Sequence, residues 1–287
     1  MKISRRHHYI PRFLIDKFAD SDNKVWVYNK VEGRILKNKQ SSKSVFFEMD
    51  RNNFDVNGKT IDNIELIYGE VDNLLSRNLH KVLSTQNMTA RELTMLILLV
   101  SITKWRVPAS DQLFVEKFKN IPIEHLGLKI KPINKEMKVI LEDFNRIKEM
   151  EIVKEINRLL ISIQPLIVGV NLDEIHNNCF IVSNSEFPSL LGDVPIIENQ
   201  NDSYETLEDF IFPLSSNETL ICKRNAEKDI YNKLFYIQKD LTIFHLANKF
   251  VICKSKEHLE KIAEIYSTLK TENKTDLLIK YVFEFIK

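Results

Sequence analysis

The sequence is poor in the residues that break or bend a chain: glycine occurs 6 times and proline 8 times in 287 residues. Both counts are below average usage, which disfavours turn-dense sandwiches, collagen-like repeats and linker-rich chains. The three cysteines, Cys179, Cys222 and Cys253, are widely separated and form no Cys-x-x-Cys pair. We therefore expect neither a disulfide framework nor a cysteine metal site, but three buried thiols in a reducing cytoplasm.

Two further features are missing, an excess of one charge and a long apolar run. The 41 Lys and Arg residues balance 40 Asp and Glu residues, which argues against nucleic-acid binding through bulk charge and against a disordered chain. The basic N-terminus has no apolar segment behind it, so it is not a signal peptide. The most apolar stretch, 93–102, has about half the length needed to cross a bilayer. These features predict a cytoplasmic protein without membrane association.

Charge is nevertheless uneven along the chain. Residues 1–60 carry a net charge of +6, and residues 171–213 carry −9 with no Lys or Arg. Such asymmetry indicates a partner surface, a cation site, or two parts of one chain that dock on each other. We favour docking for at least part of the charge, and expect residues 6–14 to lie against the segment 180–195.

Hydrophobic periodicity divides the chain into elements. Residues 25–36 have the alternation of a β-hairpin, and residues 61–83 have apolar positions at the three- and four-residue steps of a helix. Thr89 and Glu92 form a capping box before a helix that runs to about Trp105. Further helices are predicted at about 111–118, 134–163, 256–270 and 273–286. Short β-branched and aromatic runs predict strands at 179–183, 210–214, 219–222 and 250–253.

This pattern predicts an α+β fold that is mostly helical. A central buried helix is expected at 93–100, packed between the helices at 61–83 and 134–163. The N-terminal hairpin and the later short strands should form a small mixed or antiparallel sheet. We expect a single domain, 1–287, with a possible subdivision into a hairpin plus helical part, 1–170, and a strand-rich part with C-terminal helices, 171–287.

Two adjacent histidines, His7 and His8, open the most unusual string of the sequence, ahead of Pro11. Neighbouring side chains on an extended chain point to opposite faces, so one of the two can face a given site. A neutral imidazole there would be a general base or a metal ligand, and the alternative is a packing or surface pair near the terminus. Because Pro11 restrains the turn, we expect His8, the nearer histidine, to face the site.

Four other residues are candidates for a chemical role, and each also has a purely structural interpretation. Glu65 and Asp72 differ by about 20° around a helix, at the edge of its apolar stripe, so they would form a cation site, an acid–base pair, or ion pairs with a neighbouring helix. Arg106, at the end of the buried helix, would clamp a phosphate or complement the helix C-terminus. Asp193 would be an active-site carboxylate at a strand end or would tie down backbone N–H groups.

The order of these segments is itself informative. A His-His-x-x-Pro-x-Phe-Leu string starts at His7, and it is followed by Phe46-Phe47, Ile64-Glu65, Arg106-Val107-Pro108, Gly192-Asp193-Val194-Pro195, Phe212-Pro213-Leu214-Ser215 and Asn248-Lys249-Phe250-Val251. From about residue 6 to residue 255 the chain thereby resembles an uncharacterised bacterial family catalogued as domain of unknown function 4238. Gly192 stands where that family usually has serine, and Asp72 where a second glutamate is common. The resemblance implies candidate positions and a context in bacterial mobile and defence islands, but no reaction.

Two functions are compatible with these residues, and we favour the first because the polar motif residues come from four separate segments, although whether the protein is an enzyme is left open. The first is a nuclease-like, phosphodiester-cleaving effector of a bacterial accessory or anti-phage defence system. His7 or His8 would be the general base, Arg106 would hold the phosphate, and Glu65 with Asp193 would bind Mg²⁺ or Mn²⁺. The second is a non-enzymatic sensor or protein-interaction component of such a system. The expected partners are RNA or DNA for the first, and a protein of the same operon for the second.

Overall fold

The structure of the protein is a computed structural model that describes residues 3–56, 58–85, 88–120, 146, 149–167, 177–199 and 209–287. Its α-helices are α1 (Arg12–Ile15), α2 (Asn63–Thr85), α3 (Ala90–Arg106), α4 (Asp111–Asn120), α5 (Glu151–Ile167), α6 (Leu234–Leu246), α7 (Lys256–Thr271) and α8 (Leu278–Glu284). Single 3-10 turns lie at Asp16–Phe18, Ser42–Ser44, Pro108–Ser110 and Thr275–Leu277.

The strands are short and pair antiparallel. They are β1 (Arg6–His8), β2 (Lys24–Asn29), β3 (Arg34–Ile35), β4 (Gln40–Ser41), β5 (Phe47–Met49), β6 (Phe54–Val56), β7 (Lys59–Ile61), β8 (Cys179–Ser183), β9 (Leu191–Gly192), β10 (Ile197–Glu198), β11 (Phe210–Pro213), β12 (Glu218–Cys222) and β13 (Phe250–Cys253). One sheet has the order β3-β2-β13-β9, with β4 also paired to β2, and a second has the order β10-β11-β12-β8. Among the described residues, two ribbons, β1-β5 and β6-β7, complete the set.

The predicted α+β class is confirmed, although the strands form two main sheets where one was expected. The N-terminal hairpin does join a late strand, because β2 pairs with β13 and Val27 stands opposite Ile252. The other late strands make their own sheet. Its strand β11 is buried along its whole length, with Phe210 and Phe212 in one apolar core and Ile211 in the other. A strand covered on both faces has a continuous apolar run in place of alternation, as this sequence does.

Helix α3 is the central element that the sequence predicted. Leu96, Leu99 and Val100 are at most 1% exposed, and the helix packs against both α2 and α5. The predicted capping box is present, since the Thr89 side chain accepts a hydrogen bond from the Glu92 backbone N–H and the Glu92 carboxylate accepts one from the Thr89 backbone N–H. A helix that is apolar nearly all round needs packing partners on every side, which its central position supplies.

The long helix predicted at 134–163 differs from the structure where it can be compared. Helix α5 begins at Glu151, after a turn at Glu149 and the non-helical Met150, whose carbonyl accepts from the Val153 N–H. Residues 134–145, 147 and 148 of the predicted helix lie outside the described residues. Periodicity alone missed the break because the apolar positions on both sides of it keep helical spacing.

The expectation of three separate thiols is wrong for two cysteines. Cys179 and Cys222 stand directly opposite each other in the β8-β12 pair and form a disulfide, with Cα atoms 4.1 Å apart. Cys253 is a buried free thiol, and burial raises its pKa to about 12. The sequence separation of 43 hides the pair, because only the strand register brings the two cysteines together.

Among the described helices, no single one combines the length and apolarity needed to cross a membrane. One bent pair, Ala90–Arg106 with Pro108–Lys119 at an angle of 72°, meets those requirements by length and composition together.

Candidate functional site

The His-His segment is held in place by strand pairing. In the β1-β5 ribbon His7 lies opposite Glu48 and His8 opposite Phe47, and the Tyr9 N–H continues the ladder by donating to the Phe46 carbonyl at 3.0 Å. The side chains alternate as an extended segment requires, so His7 is completely buried and His8 is half-buried. The expectation that His8 is the inward histidine is therefore wrong, because the register with β5 turns His7 into the protein.

His7 uses both ring nitrogens within the protein. Its Nδ1 accepts a 2.8 Å hydrogen bond from the Asn52 backbone N–H, so Nδ1 has no proton. Nε2 must then bear the proton of the neutral ring, and it donates to the Ser4 carbonyl at 3.1 Å. The Asn52 side chain in turn donates to Glu65 Oε2 at 2.8 Å, which connects the histidine to the first turn of α2. Asn52, which is 3% exposed, is a connecting residue that no pattern in the sequence indicated.

His8 is a neutral imidazole in a positive field. Burial lowers its pKa from 6.5 to about 4, and the guanidinium groups of Arg12 and Arg106 add to this, against the opposite effect of the Ser42 carbonyl. That carbonyl lies 3.2 Å from Nε2, so Nε2 donates and Nδ1 keeps its lone pair. Both rings are neutral, but among the described residues no hydrogen bond occupies the His8 Nδ1 lone pair, which is the atom that general-base chemistry requires.

Arg106 and Asp72, two separate candidates in the sequence, turn out to be partners. Arg106 Nη1 donates to both Asp72 carboxylate oxygens, at 2.9 and 3.0 Å, and the guanidinium lies over the Tyr68 ring, 4.3 Å from its centroid. Arg106 is 4% exposed, and its buried Nε has no hydrogen-bond partner among the residues that the structure describes. Burial raises the pKa of Asp72 above its ordinary value, with Arg106 opposing this and Glu65 adding to it. The structural alternative for Asp72, an ion pair with a neighbouring helix, is thus realised.

Asp193 binds backbone amides in a neighbouring loop. Its Oδ1 accepts from the Asn248 N–H at 2.7 Å, and its Oδ2 accepts from the N–H groups of Lys249 at 2.7 Å and Phe250 at 3.2 Å. Burial raises the pKa of Asp193, while these three donors oppose the shift. The carboxylate therefore ties down backbone N–H groups, as the structural alternative proposed, and holds the start of β13 against β9.

Lys30 complements this arrangement from the β2-β3 hairpin. Its ammonium donates to carbonyl oxygens at the C-terminal end of α6, those of Phe244 at 2.6 Å, His245 at 3.2 Å and Ala247 at 2.5 Å. Burial lowers the pKa of Lys30 to about 8, and the charge of Asp193 opposes this shift. The backbone is also close at Gly192, where a Cβ atom would lie 3.1 Å from the Ala247 Cβ. A side chain at position 192 would therefore need its neighbours to give way.

The two predicted metal ligands, Glu65 and Asp193, bind different groups of the chain. Glu65 holds Asn52 at the start of α2, whereas both Asp193 oxygens accept backbone N–H groups beside β13. In the part of the chain that the structure describes, no group of three or more His, Cys, Asp and Glu residues is arranged to hold a metal ion. The binding of Mg²⁺ or Mn²⁺ by Glu65 and Asp193 stays a prediction.

Several segments that carry the family resemblance meet at one cleft. Its volume is about 190 Å³, and its walls are Tyr9, Phe47, Glu48, Pro108, Ala109, Asp193, Asn248, Lys249 and Phe250. Tyr9 belongs to the His-His string, and Asp193 to the acidic part of the chain, so the segments 6–14 and 180–195 do come together here. Burial raises the pKa of Tyr9, and the negative charges of Asp193 and Glu48 add to this. The cleft is therefore aromatic, and its charged lining residues are Glu48, Asp193 and Lys249.

A second buried polar cluster lies behind the strands and was missed by sequence reasoning. Lys239 is completely buried, donates to Ser189 Oγ at 2.5 Å, and forms a 3.1 Å ion pair with Asp240. Asp240 also accepts from the Leu190 N–H at 3.1 Å and lies 2.7 Å from His258 Nε2. Burial opposes its ionisation, but Lys239 and His258 hold the pKa of Asp240 below its ordinary value. The signal in the sequence was a charged pair in the middle of the apolar helix α6.

The fold and these contacts define a class: an α+β protein in which a central helical layer and two antiparallel sheets place an N-terminal strand beside a small aromatic cleft. Comparison with known families then identifies the chain. A family model described as "Protein of unknown function (DUF4238)" matches residues 6–257, and the chain belongs to that family. No curated protein and no solved structure matches the chain significantly.

Proposed function

We propose that the protein is a non-enzymatic sensor or protein-interaction component of a bacterial accessory or anti-phage defence system, acting in the cytoplasm. In this proposal the cleft beside Tyr9 receives a side chain of a partner protein. The His-His segment then acts as a structural clasp that closes one wall of the cleft.

One observation carries the proposal: most of the polar side chains expected to do chemistry already bind groups of this chain. His7 uses both ring nitrogens, and Arg106 binds Asp72 through Nη1. Asp193 accepts three backbone N–H groups with its two oxygens. A catalytic base or a phosphate clamp needs atoms free to meet a substrate, whereas a clasp needs its atoms satisfied within the fold.

The composition of the cleft favours a cationic side chain as its occupant. Tyr9, Phe47 and Phe250 provide ring surface, and an ammonium or guanidinium group over such a ring is attracted by the negative face of the π-system. The charges of Glu48 and Asp193 act in the same direction at Tyr9, and the charge of Arg51 opposes them. A volume of about 190 Å³ suits one arginine or lysine side chain better than a nucleotide.

Peptide binding tests this proposal. Fluorescently labelled short peptides that differ only in a central Arg, Lys, Gln or Glu are titrated with the full chain, and binding is followed by fluorescence anisotropy. We expect the Arg and Lys peptides to bind and the Gln and Glu peptides not to. Phe47→Ala should weaken binding about fivefold or more through loss of the ring.

Met49→Ala is the matched control, since Met49 lies two positions further along β5, is 52% exposed and does not line the cleft. This variant should bind as the wild type does. Equal binding of all four peptides, or equal losses in the Phe47 and Met49 variants, would contradict the proposal.

A nuclease-like activity is the second candidate, and the state of His8 favours it. A neutral His8 near the guanidinium groups of Arg12 and Arg106 has the elements of a base beside a phosphate-binding charge. The RNA or DNA partner expected from the sequence belongs to this candidate.

Incubation with labelled RNA and DNA, with and without Mg²⁺ or Mn²⁺, distinguishes the two candidates. Cleavage that is lost in His8→Gln and retained in His80→Gln, an exposed histidine on α2, would replace the binding proposal with the nuclease. Absence of cleavage under every condition, with the Arg and Lys peptides bound, would support the interaction protein.

A further inference from the structure

A second concave site lies away from the cleft, between the N-terminal hairpin and helix α7. Its volume is about 490 Å³, and it is lined by Trp26, Tyr28, Ile35, Leu36, Lys37, Lys256, Glu260 and Ala263. We call it the Trp26 groove. It lies within the size range of small-molecule sites and is more than twice as large as the cleft beside Tyr9.

The alternation of β2 creates the aromatic floor of the Trp26 groove. Val25 and Val27 point into the first apolar core and are at most 1% exposed, so Trp26 and Tyr28 must lie on the opposite face, where α7 packs on the strand. Both aromatic residues are only half-buried. Trp105, the other tryptophan, is 5% exposed and lies in a different cluster.

Lysines surround this floor. The ammonium groups of Lys39 and Lys256 lie 5.8 and 5.7 Å from the Trp26 ring centroid, and Lys37 is an exposed residue of the rim. Lys39 is paired with Asp20, and Lys256 with Glu260 at 2.9 Å, where both side chains are about half exposed. Among the described residues no ion pair engages Lys37. Exposed pairs contribute little to stability, so the Lys256 ammonium group can exchange Glu260 for a ligand anion at low cost.

A half-exposed indole beside several ammonium groups matches one ligand chemistry, a planar ring joined to a phosphate. We propose that the Trp26 groove binds a nucleotide, whose base stacks on Trp26 and whose phosphate is held by Lys37 and Lys256. Base–aromatic stacking is tolerant of sequence, and lysine stems are flexible enough to follow a phosphate. The source is either a free mononucleotide or a nucleotide within a single strand, since both present the same groups.

Tryptophan fluorescence reports on this site directly, because the chain has 2 tryptophans. The full-length protein is titrated with AMP, adenosine, inorganic phosphate and a short oligo(dA). We expect AMP to quench the emission saturably and to bind more tightly than adenosine or phosphate. Added NaCl should weaken the binding of AMP. Trp26→Phe should abolish the quenching, and Trp26→Ala should weaken AMP binding about tenfold by calorimetry. Tighter binding per nucleotide by oligo(dA) identifies the strand as the source, and equal or weaker binding identifies the free nucleotide.

A matched pair of double variants separates the site from general charge. Lys37→Gln with Lys256→Gln removes two lining ammonium groups, and we expect at least about tenfold weaker AMP binding. Lys43→Gln with Lys280→Gln removes the same charge from exposed positions outside the groove and should leave AMP binding unchanged. These four lysines are on the surface or its rim, so both variants should fold.

Three results would overturn the proposal. The first is that neither millimolar AMP nor oligo(dA) quenches the emission. The second is that AMP binds the two double variants equally, and the third is that phosphate binds as tightly as AMP. The last would indicate an anion site without base recognition.

Discussion

Acidification should destabilise the protein through His8. The folded state lowers the pKa of this histidine from 6.5 to about 4, mainly by burial. Above pH 6.5 both states are neutral at His8, and the full stability is present. Between pH 6.5 and pH 4 the unfolded chain takes up a proton that the folded chain does not, so the free energy of unfolding falls as the pH falls.

The size of the effect follows from the two pKa values. If the whole pKa shift of His8 contributed, protonation of His8 in the unfolded chain would lower the free energy of unfolding at pH 5 by about 2 kcal/mol. His8 is half-buried, so solvent screening reduces this to about 1 kcal/mol. His8→Gln keeps a donor for the Ser42 carbonyl but cannot titrate.

Urea unfolding at pH 7 and pH 5, followed by circular dichroism, measures this difference. The wild type should lose about 1 kcal/mol more than His8→Gln between the two pH values. His80→Gln, at an exposed position, should lose as much as the wild type. If the free energy of unfolding falls by the same amount in the wild type and in His8→Gln, the His8 imidazole is not buried in the way described above.

Three other substitutions test the helical core. Leu99→Ala, at a residue 1% exposed, should lower the free energy of unfolding by about 3 to 4 kcal/mol in urea, and a loss below about 1 kcal/mol would contradict close packing around α3. Thr89→Ala removes the capping box and should lower the free energy of unfolding by about 1 kcal/mol, measured by thermal unfolding. An unchanged melting temperature would show that the cap does not stabilise the helix. Arg106→Met leaves the Asp72 carboxylate without its partner and should lower the free energy of unfolding by about 2 to 4 kcal/mol, and restoration by the additional change Asp72→Leu would support the pairing.

The parts of the fold that depend on local chemistry were predictable. A capping box needs two residues three positions apart, so Thr89 and Glu92 marked the start of α3 in the sequence. The burial of α3 followed from its nearly continuous apolar composition. The strands at 179–183 and 250–253 were recognisable from β-branched and aromatic runs.

The candidate site was only half predictable, because residue type indicates the need for a partner without naming it. The position of Asp72 at the edge of an apolar stripe indicated that its half-buried carboxylate needs a cationic partner. Arg106, at the end of α3, is that partner. The hydrogen bond from the Asn52 backbone to His7 had no such signal in the sequence, because almost any residue type can donate a backbone N–H.

Sequence by itself determined the α+β class, the central helix and the family, because each depends on composition, local spacing or the order of motifs. Tertiary structure alone decided that His7 is the inward histidine and that Cys179 meets Cys222. These outcomes depend on strand register and on contacts between distant segments. A shift of one residue in the β1-β5 register would exchange the two histidines without changing a letter of the sequence.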